Sequence, residues 1–214
     1  GRPLRELLES HVQGMPLGMV THIFSPLCGA LAEAHAAGLV HGAIDADRVC
    51  LLGDGNSLAP KLLELGIPAG QREAQARGCR APELPDGSDG TKAADVFALG
   101  VLLYVMLSGE APFVTPKSPI VPLDEVVPHL PPTWVELTHD CLERDPASRI
   151  AHAGLVLERV REGLADRSSA VPFVLPVMKS SPRDARVKRR RDARVEEPIG
   201  RADFDDPARY SQVK

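Results

Sequence analysis

Aromatic residues are scarce. Phe, Trp and Tyr make up 4% of the 214 residues, so any core must rest on Leu, Val and Ala. Cysteine is sparse as well. Cys28, Cys50, Cys79 and Cys141 form no Cys-x-x-Cys pair, which argues against a zinc site and against a disulfide framework. Reduced thiols in a cytoplasmic protein are the expectation. No apolar run reaches about 18 residues free of Pro and charge, so no membrane-spanning helix is expected. Nothing in the sequence reads as a signal peptide. A Gly-x-Gly-x-x-Gly loop is missing, as is a strand Lys in a Val-Ala-x-Lys setting. Between Glu64 and Glu83 there is no Ser, Thr or Tyr, so that stretch offers no hydroxyl for phosphorylation.

What is present is a hydrophobic content of 43%, enough for one sizeable core. Charge is unevenly spread. Residues 165–214 hold twelve basic and eight acidic side chains, a net +4, and residues 1–164 are left at −8. An acidic body does not favour nucleic acid.

Leu4, Leu7 and Leu8 mark a short amphipathic helix. From Val20 to Ala37, Ile23, Leu27, Leu31 and Ala34 recur at helical spacing and stop at Gly38. Pro26 lies inside this pattern and is expected to kink or restart the helix. Val49–Leu52 and Lys61–Leu63, joined through Gly53-Asp54-Gly55-Asn56, read as a β-hairpin. Asp95 to Leu107 is apolar nearly all round, the mark of a buried helix that Gly109 closes. Residues 110–132 hold seven prolines and read as an irregular surface loop. Thr133-Trp134-Val135-Glu136 has the form of a capping box, opening a helix that places Trp134, Leu137 and Cys141 on one face. A last helix is expected near Ala151–Leu164. Beyond it, residues 165–214 read as a mostly disordered tail with a Pro-broken apolar stretch at 171–178 and a basic run at 179–194.

Several short runs stand in a fixed order. They are His41-Gly42-Ala43 with Arg48 five residues on, Leu62-Leu63-Glu64-Leu65-Gly66, Ala81-Pro82-Glu83, Asp95-Val96-Phe97-Ala98-Leu99-Gly100, Pro112-Phe113, and Asp145-Pro146-Ala147-Ser148-Arg149. In this order and spacing the chain resembles the C-terminal lobe of Ser/Thr protein kinases of bacterial type, in a degenerate, pseudokinase-like form. The resemblance runs from Gly1 to about Leu164. It implies an α+β, mainly α-helical fold, a kinase-like large lobe with a short β-hairpin, with the N-terminal lobe absent from this chain. The expected domains are 1–164 for the lobe and 165–214 for the tail.

The same resemblance locates the chemistry that is missing. The family's catalytic Asp corresponds to Ala43, which accepts no proton. Its catalytic-loop Lys corresponds to Asp45, so an attractive charge becomes a repulsive one. Its metal-binding Asn corresponds to Arg48, which has no lone pair for Mg²⁺. The Arg that reads an activation-segment phosphate corresponds to Gly42. Glu64, at the place of the Asp in Asp-Phe-Gly, is the one candidate metal ligand, set against the plainer reading of a solvated loop carboxylate. The resemblance implies structural roles for four residues: His41 packs beneath the loop and supports it, Asp95 hydrogen-bonds the loop backbone, and Glu83 and Arg149 form a buried ion pair that ties the segment to the late helices. His35 and His41 are six apart across a helix end, which is not a ligand spacing.

No catalytic residue and no cofactor is therefore expected. The functional expectation is an inert kinase-like domain, cytoplasmic, that works by binding a protein partner such as a kinase or signalling protein. One alternative is a divergent kinase fragment that binds ATP and Mg²⁺ when joined to an upstream small lobe. Another is a tether in which the basic tail meets nucleic acid or an anionic membrane; interruption of the run by Asp184 and Asp192 weighs against it.

Overall fold

The computed structural model describes residues 1–68, 79–85, 88–113 and 118–165. Their order is β1 (Arg2–Pro3), α1 (Leu4–Glu9), α2 (Leu17–Ala36), β2 (Val49–Leu52), β3 (Ala59–Leu62), α3 (Lys92–Ser108), α4 (Leu123–Val126), α5 (Pro132–Cys141) and α6 (Ala153–Ala165). The α+β, mainly helical expectation holds for these residues. The tail expected over 165–214 lies outside them except for Ala165, the last residue of α6.

β2 and β3 form the expected antiparallel hairpin, with Val49 opposite Leu62 and Leu52 opposite Ala59. Val49 and Leu51 are buried while Cys50 and Leu52 are half-buried, the period-two alternation of a sheet with one covered face. The sheet has a third strand. β1 pairs antiparallel with β2, Arg2 opposite Leu51 and Pro3 opposite Cys50. A two-residue strand carries no alternation to read, which is why sequence pattern missed it.

α3 is the axis of the core. Thr91 caps it, its hydroxyl accepting the Ala94 N–H at 3.1 Å. Gly109 ends it at φ 78°, its N–H donating to Val105 O at 2.8 Å. A side chain at Gly109 would strike Val12 O at 2.3 Å. Residues Ala94 to Tyr104 are all buried, as the all-round apolar pattern requires. Gly100 sits mid-helix, where glycine ordinarily costs about 0.5–1 kcal/mol. Here it lets α5 close in, since a Cβ would lie 2.7 Å from Cys141 Cβ.

α2 runs unbroken through Pro26, so the expected restart does not occur. Pro26 itself is exposed. The opposite face buries Ile23, Phe24, Leu27 and Leu31. That burial outweighs the proline penalty of about 3 kcal/mol. α2 is also long and apolar enough to cross a membrane by length and composition. It packs against α6, β3 and α3 as a core helix.

Two further expectations are corrected. The Pro-rich stretch is not irregular throughout, because α4 forms within it and buries Leu123, whose N–H donates to His139 Nε2 at 3.2 Å. The capping box at Thr133 does not form. α5 begins at Pro132, two residues before the first helical position that the box would set, with Pro131 before it and no side-chain cap.

Candidate functional site

The loop between α2 and β2 is held from below by Asp95, in the first turn of α3. Asp95 is buried, and its two oxygens accept the backbone N–H groups of His41 (2.8 Å) and Gly42 (2.6 Å). His35, at the end of α2, donates to Asp95 Oδ2 through Nε2 at 3.0 Å. Its Nδ1 accepts the Ala153 N–H of α6 at 3.2 Å, which fixes the tautomer. His35 is thus a scaffold residue. Sequence spacing gave no sign of this, as Asp95 is 60 positions away.

His41 is fully buried. Its Nε2–H donates to Leu63 O at 2.7 Å, and its Nδ1 accepts the Ala43 N–H at 3.3 Å. The ring therefore ties the loop to the end of the hairpin, in the supporting role expected of it. Leu63 N–H donates to Arg48 O at 2.8 Å and completes the connection.

The side chains on this frame form an ion cluster. Asp45 is 1% exposed, and its Oδ1 accepts the N–H groups of Asp47 and Arg48, both at 3.1 Å. Its Oδ2 accepts from Arg48 Nη1 at 2.5 Å. Arg48 Nε donates to Glu64 Oε2 at 2.7 Å. One guanidinium thus joins the positions of the family's catalytic-loop Lys and Asp-Phe-Gly aspartate. Burial pulls the Arg48 pKa down, but the Glu64 hydrogen bond and the two carboxylates raise it above its ordinary value on balance. Arg48 is charged at every physiological pH.

Glu64 has φ 63°, in the left-handed region, and its side chain is 38% exposed. Its Oε2 is taken by Arg48. Ala43 is buried beside the loop and presents only a methyl group. Cys79 lies near enough to feel the charges of Asp45, Arg5 and Arg48, and burial pushes its thiol up to about 12.

Mg²⁺ requires near-octahedral oxygen ligands at about 2.0–2.1 Å. The cluster offers two carboxylates already committed to a guanidinium, which itself repels a cation. With the guanidinium between them, Asp45 and Glu64 do not fit a metal ion. Among the described residues no group of three or more His, Cys, Asp or Glu is placed to hold a metal. The sequence marks Arg48 as hostile to metal, but its pairing emerges only in the fold. The three-residue spacing of Asp45 and Arg48 was the available signal.

The segment after the cluster is tied to the late helices by Glu83 and Arg149. Arg149 Nη1 donates to Glu83 Oε1 at 2.6 Å and Nη2 to Oε2 at 3.0 Å. Arg149 also donates to the carbonyls of Ala93, Glu143 and Arg144. Its guanidinium lies 5.0 Å from the Phe97 ring centroid. Phe97 stacks on Phe113 at 5.9 Å, and Arg144 covers Phe113 at 5.6 Å.

No family model matches the chain. It is 31% identical over 194 residues to the Ser/Thr-protein kinase PknL of Mycobacterium tuberculosis, a match covering 80% of this chain and 48% of that protein. It is 30% identical over 199 residues to the Ser/Thr-protein kinase PkaB of Streptomyces coelicolor, covering 81% of this chain and 46% of that protein. The solved kinase domain of M. tuberculosis PknI aligns with a TM-score of 0.61 at 25% identity, covering 76% of this chain and 62% of that domain. The chain spans about half the length of the curated relatives it matches.

Proposed function

Because this chain is a homologue of the bacterial Ser/Thr protein kinases with the fold of their large lobe, we propose that it serves as a catalytically inert kinase-like domain. On this reading it acts in signalling by holding a protein partner, in the cytoplasm. One observation carries it. The loop that performs phosphoryl transfer in this family is intact as a frame, yet bears Ala43, Asp45 and Arg48 where a base, a cation and a metal ligand belong.

Phosphoryl transfer depends on positioned groups and on positive charge around the moving phosphoryl. Loss of the general base alone lowers a rate by about 10²–10⁴. The charge reversal at Asp45 and the closed cluster at Arg48 act on the same step. The contacts that support the loop are kept by contrast, with Asp95 under it and Arg149 on Glu83. A domain under no demand except to present a surface needs the second set of residues and not the first. The Pro-rich stretch 110–132 and the segment leading to Glu83 are the surfaces proposed for the partner.

The test is incubation of the full chain with γ-labelled ATP, Mg²⁺ or Mn²⁺, and a generic protein substrate. No transfer above a blank without protein is expected. Transfer that persists through purification and changes on Glu64→Ala substitution contradicts inertness.

A further inference from the structure

Asp45 and Glu64 are brought together by elements that fix both. The Asp45 carboxylate is anchored by two backbone N–H groups of its own loop and is almost wholly buried. Glu64 follows Leu63, which is fastened through its N–H to Arg48 and through its carbonyl to His41. Its left-handed backbone is disfavoured for a residue with a Cβ and persists only where the surroundings hold it, and the Arg48 bond to Oε2 is one such contact. Two carboxylates converging on one point repel unless a positive charge stands between them. Proteins commonly supply that charge as a divalent ion with oxygen ligands.

We propose that Arg48 is a tethered counter-ion, its guanidinium taking between Asp45 and Glu64 the place that a divalent metal ion takes between paired carboxylates. The loop 41–48 and the turn at Glu64 are then closed without metal or nucleotide, and any surface built on them is permanently set. The inference deepens the reading of an inert domain and rests on it for its functional meaning. It has a chemical corollary. Removing the guanidinium while leaving both carboxylates creates a site of hard oxygen donors suited to Mg²⁺ or Mn²⁺.

The experiment is thermal unfolding of the full chain in EDTA, MgCl₂, MnCl₂, and KCl of matched ionic strength. The unaltered chain is expected to melt at one temperature in all four. R48N is expected to melt lower in EDTA and to recover with rising MnCl₂ beyond the KCl control. R48N/E64Q is expected to lose that recovery, and R48K to show no divalent response. Should R48N fold too poorly to melt cooperatively, D45N/R48N/E64Q removes all three charges together and is expected to fold better than R48N. A divalent-dependent rise in the unaltered chain overturns the proposal. So does a foldable R48N that divalent ions do not restore, or a triple variant no better folded than R48N. Inertness is judged separately by label transfer, so an inactive chain that responds to Mn²⁺ defeats the counter-ion alone.

Discussion

Arg149 and Glu83 meet across 66 positions of sequence through two parallel hydrogen bonds, with the arginine side chain wholly buried. The fork geometry matches guanidinium to carboxylate, and three backbone carbonyls take its remaining donors. The pair fixes the Ala81-Pro82-Glu83 segment to the turn before α6.

Glu83→Ala strands the arginine charge in the interior. A loss of about 3–5 kcal/mol is expected, the range for breaking a buried pair from one side. Urea denaturation followed by circular dichroism measures it. A loss below 1 kcal/mol would show that the carbonyls alone satisfy Arg149.

Asp95→Asn replaces one accepting oxygen with a donor that faces another N–H. Each buried donor left unsatisfied costs about 1–3 kcal/mol. Destabilisation in that range is expected, with faster hydrogen exchange at the amides of His41 and Gly42. Unchanged exchange at those two amides would contradict the anchoring role.

Gly100→Ala is expected to destabilise by about 1–3 kcal/mol, because overpacking at the α3–α5 crossing outweighs the gain in helix propensity. Paired with Cys141→Gly, the cost should fall, since the atom it strikes is Cys141 Cβ. Equal costs in both backgrounds would place the clash elsewhere.

Burial pushes the Cys141 thiol up to about 12 from an ordinary 9.0. The folded state therefore keeps a proton that the unfolded chain releases above pH 9. Stability contributed by the neutral thiol is complete below that point and declines as pH rises toward 12, by about 1.4 kcal/mol per pH unit. Cys141→Ala should flatten this decline in denaturation midpoints taken at pH 8 to 11. A parallel decline in both proteins would assign the effect to other groups.

Elements with a pronounced apolar pattern were legible in the sequence. α3 is apolar on every side, and β2 is a short apolar run followed by a Gly-rich turn, each a pattern that the sequence displays directly. The Glu83–Arg149 pair and the place of Asp95 beneath the loop were also legible, carried by family resemblance. β1 was not, since its pairing is dictated by β2 and not by its own two residues. The continuity of α2 through Pro26 was not legible, since whether a proline interrupts a helix depends on the packing around it. At the candidate site, each replaced residue was recognised singly. That Arg48 would satisfy Asp45 and Glu64 at once is a matter of three-dimensional convergence.

His35 receives a hydrogen bond from the start of α6 and passes one to Asp95, which receives two more from the loop. Fraying of the last helix at its amino end would thus reach the loop through a relay of three residues. The amides of His41, Gly42 and Ala153 should open together, as one cooperative unit whose exchange rates move in step when denaturant is added.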